Sequence, residues 1–365
     1  MERIKAGARD LWQGSLCILL LWGILFRGSY AKDGILRGLT SCYQVIIPAL
    51  FPFLVVSHLI MGSRLSLALE SLFSPVSRFL FRSGRQGGAI FSMAMIGGFP
   101  VGPKLLRGAV DRGELDREEA RRLALFCVAP APAFVITGVG GGMFHSMQLG
   151  AVLYLCSVLG AVLTGTLLSR RGSKKGGKGR APASTHQPRR FEPFSAVFVQ
   201  AVSSSVQSLL SICGYVILFS ALLQLLGGCL PLPDGGKALL SGLLEITSGC
   251  LIAAALPGRL GPYLAAFFLG FCGLSAVCQM QFCLGDLASI GKLLGARLLC
   301  GGLVLGLFSL FFELLPSPAA DVFFSSTPPR LDGTVNAPLT SVLLLLFCLA
   351  ALFTLSRKSR VLLDK

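Results

Sequence analysis

Apolar residues along this chain come in long blocks, not in the alternating or every-third-and-fourth patterns of soluble strands and helices. Runs such as 343–355 and 216–226 carry no charged residue at all. A hydrocarbon core of about 30 Å takes about 20 apolar helical residues to cross, so each block predicts a membrane helix. The blocks fall at 11–26, 43–61, 87–102, 123–140 and 149–168, then at 194–227, 238–256, 262–284, 293–312 and 339–355. Between the two sets lies 170–190, which contains Arg170, Arg171, Lys174, Lys175, Lys178, Arg180, Arg189 and Arg190 among Gly, Ser and Pro, with no acid. That composition predicts a flexible basic linker between two halves.

Charge then constrains the topology. Arg3, Lys5 and Arg9 precede the first block, and Arg357, Lys358, Arg360 and Lys365 follow the last. Basic flanks belong on the cytoplasmic side, so both termini and the linker are expected there. Five full crossings per half would separate them, so one block in each half must fail to cross. In the first half the misfit is 87–102, which runs into Ile96-Gly97-Gly98-Phe99-Pro100-Val101-Gly102-Pro103-Lys104. Such a density of Gly and Pro breaks a helix, and irregular backbone at membrane depth survives only when buried or lining a wet cavity. In the second half the misfit is placed at 262–284, on Gly270-Phe271-Cys272-Gly273-Leu274-Ser275 followed by Gln279 and Gln281, which puts Arg259, Lys292 and Arg297 on the cytoplasmic side. The expected fold is therefore all-α and polytopic, with about eight transmembrane helices and two re-entrant or broken ones in two pseudo-repeated halves. One cost of this arrangement is that Arg27, Lys32 and Arg37 fall outside. The expected units are a membrane half at 1–169, the linker at 170–193, a second membrane half at 194–356 and a tail at 357–365.

Composition agrees: 53% of the 365 residues are hydrophobic and 14% charged, against about 25% charged in soluble domains. The net charge of +16 sits between apolar blocks, which fits loops facing anionic lipid better than nucleic acid. It would also suit an anionic cargo. Twelve cysteines lie largely within apolar runs, where Cys serves as a small hydrophobe. There is no C-x-x-C pair, and His58, His145 and His186 are scattered, so neither a metal site nor a disulfide framework nor a cofactor is expected. Ser29-Tyr30-Ala31 resembles a signal-peptidase site weakly, and a retained first span is the expectation.

Candidate chemistry is confined to a few places. Exposed N–H groups at the broken Gly97, Gly98, Pro100, Gly102, Pro103 segment suit an anion, with Lys104 adding a point charge; the bland alternative is a turn with a snorkelling lysine. Glu245 is a carboxylate well inside an apolar block, followed by Thr247. It is read as a cation, proton or substrate contact, or else as a structural lock between helices. Gly273, Ser275 and Gln279 mark the second broken segment. Gln200, Ser204, Gln207, Ser208 and Ser211 share one helical face, either a pathway lining or helix–helix glue. Asp116 and Glu119 have the spacing of a capping box. No phosphate-binding lysine loop, G-x-S-x-G or H-E-x-x-H occurs, so no enzymatic activity is expected.

At these motifs the chain resembles the sporulation integral membrane proteins of the YlbJ type, which carry the nucleoside-recognition or Gate domain. The matching pieces are Pro48-Ala49-Leu50-Phe51-Pro52-Phe53, the Gly97-to-Lys104 loop, Glu119-Ala120-Arg121-Arg122-Leu123 and Pro130-Ala131-Pro132-Ala133-Phe134-Val135-Ile136. In the second half they are Gly242-Leu243-Leu244-Glu245-Ile246-Thr247-Ser248-Gly249 and 270–279. Two departures stand out: Gly-Phe-Pro where Gly-Tyr-Pro is commoner, and Cys272 where glycine is usual. The Gate domain is shared with concentrative nucleoside transporters and a ferrous-iron transporter. The resemblance implies a role in endospore formation, moving dipicolinic acid from the mother cell towards the forespore, and hence a place in the mother-cell (outer forespore) membrane.

The expectation is a membrane transporter of a small organic anion, dipicolinic acid by the resemblance. Its partners are the bilayer and that anionic substrate, without nucleic acid, and self-association is left open. The alternatives are a nucleoside or nucleobase carrier and, in another class, a non-transporting scaffold of a sporulation complex.

Overall fold

A computed structural model describes residues 21–171, 193–227 and 232–314, apart from Trp22, Arg82 and Pro100. All belong to the unit Met1–Phe324. The described residues form helices and connecting turns, with no strand among them. Five helices, Gly28–Gly62, Met147–Arg170, Phe194–Gly227, Leu260–Leu287 and Ile290–Phe312, are long and apolar enough to cross a membrane. Phe198, Val199, Leu210 and Leu218 are exposed along one of them, as lipid-facing side chains are. The chain is an all-α polytopic membrane protein. The first expected block lies only partly, and the linker core and last block not at all, within the described residues.

In chain order the first half runs through α1 (Gly28–Gly62), α2 (Leu65–Phe81), α3 (Arg85–Gly97), α4 (Val101–Asp111), α5 (Arg117–Leu123), α6 (Phe134–Met143) and α7 (Met147–Arg171). The second half runs through α8 (Phe194–Gly227), α9 (Asp234–Leu244), α10 (Ile246–Ala254), α11 (Leu260–Phe271), α12 (Gly273–Leu284) and α13 (Ile290–Leu314). Setting α2 aside, both halves repeat one order: a long helix, a hairpin of two short helices, an interrupted helix and a second long helix.

The two leading helices, α1 and α8, pack antiparallel. A Cβ on Gly34 would lie 2.5 Å from the Ala221 Cα, and one on Gly38 would lie 2.8 Å from the Ile217 Cα. At the far end Gly62 meets Val197. Small residues let these backbones approach, as in other membrane helix pairs. Midway, α1 widens into a π-helical stretch at Cys42–Ile46. Pro48, just beyond it, has no N–H for the residue four back, and the wider turn absorbs that missing bond.

Each hairpin has its own cause. Gly98 ends α3 at φ +82, and α4 restarts at Val101, whose N–H bonds to the Gly98 carbonyl at 3.1 Å. Pro103 sits in the first turn of α4, where no N–H is required. The arms meet where Gly102 faces Ala94, 2.8 Å from a Cβ placed on the glycine. In the second hairpin Glu245 breaks the helix in extended conformation, φ −145 and ψ 122. Its arms touch at Gly242 and Gly249, where an added Cβ would lie 2.2 Å from the opposing Cα.

That second hairpin corrects the expectation that 262–284 turns back. The stretch is part of an interrupted 28-residue rod, Leu260–Leu287, whose pieces α11 and α12 do not lie side by side. Its two consecutive left-handed residues, Cys272 (φ 77) and Gly273 (φ 76), redirect the helix without reversing it. Gly270 serves instead to seat α11 on α13 at Gly301, 2.8 Å from an added Cβ. The reversal lies at Glu245, within the block 238–256 that had been expected to cross. Arg259 and Lys292 therefore flank opposite ends of one rod. Arg259 covers the Phe312 ring at 5.5 Å, whereas Asp286, at the other end, pairs with Arg107 at 2.8 Å.

The corresponding interruption in the first half follows α5. Asp116 caps that helix through the N–H groups of Glu118 (3.0 Å) and Glu119 (3.4 Å). The other half of the expected capping box is not made: Glu119 accepts from the Ser83 hydroxyl and the Gly84 N–H (3.0 Å), tying α5 to the turn before α3. After α5 the chain is irregular until α6, and residues 126–131 are all buried, the condition under which irregular backbone is tolerated in a bilayer.

Candidate functional site

The two hairpin tips and the two interruptions surround one cavity. Gly97, Gly98 and Phe99 come from the first tip, and Glu245, Ile246 and Thr247 from the second. Ala131 and Phe134 come from the first interruption, and Ser275, Ala276 and Gln279 from the second. Ile46, Leu50 and Leu54 of α1 and Ile212 and Val216 of α8 complete an apolar wall. Each tip leans on the interruption of its own half. An added Cβ on Gly98 would lie 2.9 Å from the Ala131 Cβ, and one on Gly273 would lie 3.2 Å from the Ile246 N.

Four helices begin at this cavity: α4 just after Gly98, α6 just after Ala131, α10 just after Glu245 and α12 just before Ser275. Helix N-termini carry unsatisfied N–H groups and the positive end of the dipole. Converging here, they make the cavity favourable to negative charge. One end is already occupied. Glu245 is 1% exposed and accepts from the Thr247 N–H at 2.8 Å and the Ser248 N–H at 2.6 Å. Its carboxylate is thus a cap inside the protein. Gln279 donates to the Ser275 hydroxyl at 3.5 Å, and both are buried.

Of the residues singled out from the sequence, Gly97, Gly98, Glu245, Thr247, Ser275 and Gln279 meet at the cavity. Gly102, Pro103, Lys104, Gly273, Gln207, Ser208 and Ser211 do not line it, and Pro100 lies outside the described residues. Gly102 and Gly273 support the walls: an added Cβ on Gly102 would lie 2.1 Å from the Cys127 carbonyl oxygen. Lys104 points away to α8, donating to the Ser208 hydroxyl at 2.8 Å. Beside it, His58 Nδ1 is 2.8 Å from the carbonyl of cavity-lining Leu54 and 3.1 Å from the Ser205 hydroxyl. A polar layer thus lies one helical turn from the cavity wall, while Gln207 and Ser211 are exposed on the flank of α8.

Arg297, expected with Arg259 and Lys292 on the cytoplasmic side and not singled out as a site, is instead buried. It is 1% exposed on α13 and donates to the Leu125 carbonyl at 2.8 Å and the Val128 carbonyl at 2.9 Å. The available signal was its place, since Arg297 lies within the apolar block 293–312, where a charge is costly. Among the described residues no group of three or more His, Cys, Asp or Glu is placed to hold a metal ion.

No family model matches the chain, and no solved structure matches it. It is similar to the sporulation integral membrane protein YlbJ of Bacillus subtilis (strain 168), 30% identical over 282 residues that cover 68% of this chain and 69% of that protein. An identity of that extent, on a helical membrane fold, places this chain in the YlbJ family of sporulation integral membrane proteins.

Proposed function

We propose that this protein carries a small organic anion across a membrane during endospore formation, and that the anion is dipicolinate. The observation behind this reading is the meeting of four helix N-termini at one cavity between two hairpin tips. Broken helices whose N-terminal ends face an anionic group are the recurrent solution of secondary transporters. A rigid aromatic dianion would set its ring against Phe134, Ile212 and Val216 and direct a carboxylate to the Gly98 tip, where no acid competes. The two membrane halves, 1–169 and 194–356, act as the paired repeats, joined by the cytoplasmic linker 170–193. The protein works in the mother-cell (outer forespore) membrane.

A nucleoside or nucleobase carrier is the second reading. It is favoured by Thr247, Ser275 and Gln279 beside Glu245, a set of hydrogen-bonding groups suited to a neutral polar ring. Uptake of labelled dipicolinate and labelled nucleosides into proteoliposomes separates the two. Dipicolinate uptake above protein-free vesicles, with a low dipicolinate content in spores of a deletion strain, is the expected result. Nucleoside uptake alone overturns it in favour of the second reading.

A further inference from the structure

Arg297 is among the largest fully buried side chains of the described residues. Its acceptors are neutral: the carbonyls of Leu125 and Val128, with the Cys272 sulfur 3.9 Å from the same nitrogen that reaches Val128. Among the described residues no carboxylate pairs with it. A buried guanidinium without a counter-charge is costly, and in membrane segments such groups mark functional sites. Two carbonyls can be braced by the neutral amide of a glutamine, so the charge exceeds what bracing requires.

The position of Arg297 gives that charge a use. It grips both interruptions three residues before each reaches the cavity: Val128 precedes Ala131, and Cys272 precedes Ser275. Gly273, next to Cys272, packs on the Glu245 tip. Glu245 is the opposing charge at the cavity, and its oxygens are held by the Thr247 and Ser248 N–H groups.

We propose that Arg297 is a specificity-determining residue, a buried fixed cation that biases the cavity towards anionic cargo while holding the two interruptions at their spacing. The proposal rests on the carrier reading above. It is tested with purified full-length protein, measuring affinity for pyridine-2,6-dicarboxylate and for its neutral dicarboxamide. Wild type is expected to prefer the dianion. Arg297→Gln should lower that preference about tenfold, the scale of losing one favourable interior charge interaction. Arg297→Lys should weaken both ligands and keep the preference. Cys272→Asp sets a carboxylate beside the guanidinium and leaves its carbonyl bonds in place. It should lower the preference as Arg297→Gln does, and it decides the matter if the glutamine variant fails to fold.

An unchanged preference in either neutralising variant, or an equal loss of both ligands in all three, overturns the proposal and leaves Arg297 a brace. A wild type that binds the diamide as well as the dianion overturns the carrier reading itself, and this inference with it.

Discussion

The two hairpin tips solve the same mechanical problem with opposite chemistry. At the first, a glycine at φ +82 turns the chain and α4 begins with no acidic side chain on its N-terminus. At the second, an extended glutamate turns the chain and then occupies the N-terminus of α10 with its own carboxylate. One tip leaves its dipole for a ligand, and the other has it satisfied from within. A cavity with two such tips has a polarity: the Gly98 end presents a helix N-terminus without an acidic cap, and the Glu245 end presents one whose N–H groups are already taken.

The largest effect should come from removing the freedom of the first tip. Gly98→Val places a β-branched residue at positive φ, a strain of about 1–3 kcal/mol, and drives its Cβ into Ala131. Transport should fall to background while protein abundance, followed by immunoblot of the membrane fraction, stays near wild type. Normal uptake would remove this tip from the mechanism.

Next is the second tip. Glu245→Gln keeps one acceptor oxygen in place of two, so one of the Thr247 and Ser248 N–H groups is orphaned. Losing one capping bond costs about 1–2 kcal/mol, read as a thermal midpoint lower by a few degrees. If the carboxylate is only a cap, accumulation in proteoliposomes should respond to an imposed pH gradient as in wild type. A selective loss of the gradient-driven component would make Glu245 a coupling site and give the second tip a chemical role of its own.

The smallest effect concerns the polar layer outside both tips. Lys104→Gln removes an ammonium hydrogen-bonded to Ser208. An exposed charge of this kind is worth about 0.5–1 kcal/mol, so KM for an anion should rise about twofold to fivefold with kcat unchanged. A larger rise would move Lys104 into the binding step. A neutral cargo should show no change at all, which makes the variant a second probe of cavity polarity.

Much of this was legible in the residues. Block lengths marked α7, α8 and α13, because membrane helices are set by a fixed apolar length. The Gly97-to-Lys104 run announced a fold-back, because closely spaced Gly and Pro weaken a helix most. Glu245 stood out because an isolated carboxylate in an apolar block needs a reason. The location of the second reversal was not legible. Gly270–Gly273 and Gly242–Gly249 are both glycine-bearing stretches. Which one reverses the chain depends on what each glycine touches: Gly270 meets another helix at Gly301, whereas Gly249 meets its own hairpin at Gly242.

By itself the sequence determined the solvent of this protein, a bilayer, along with the broken character of particular segments and the family to which it belongs. Those follow from composition, local backbone chemistry and motif order. Only the tertiary structure decided that the two tips and two interruptions share one cavity, that Lys104 turns away from it, and that Arg297 binds both interruptions from a helix far along the chain. Those facts depend on contacts between residues more than a hundred positions apart, such as Lys104 with Ser208 and Val128 with Arg297. Such contacts are fixed by how helices distant along the chain pack together, and no local pattern encodes them.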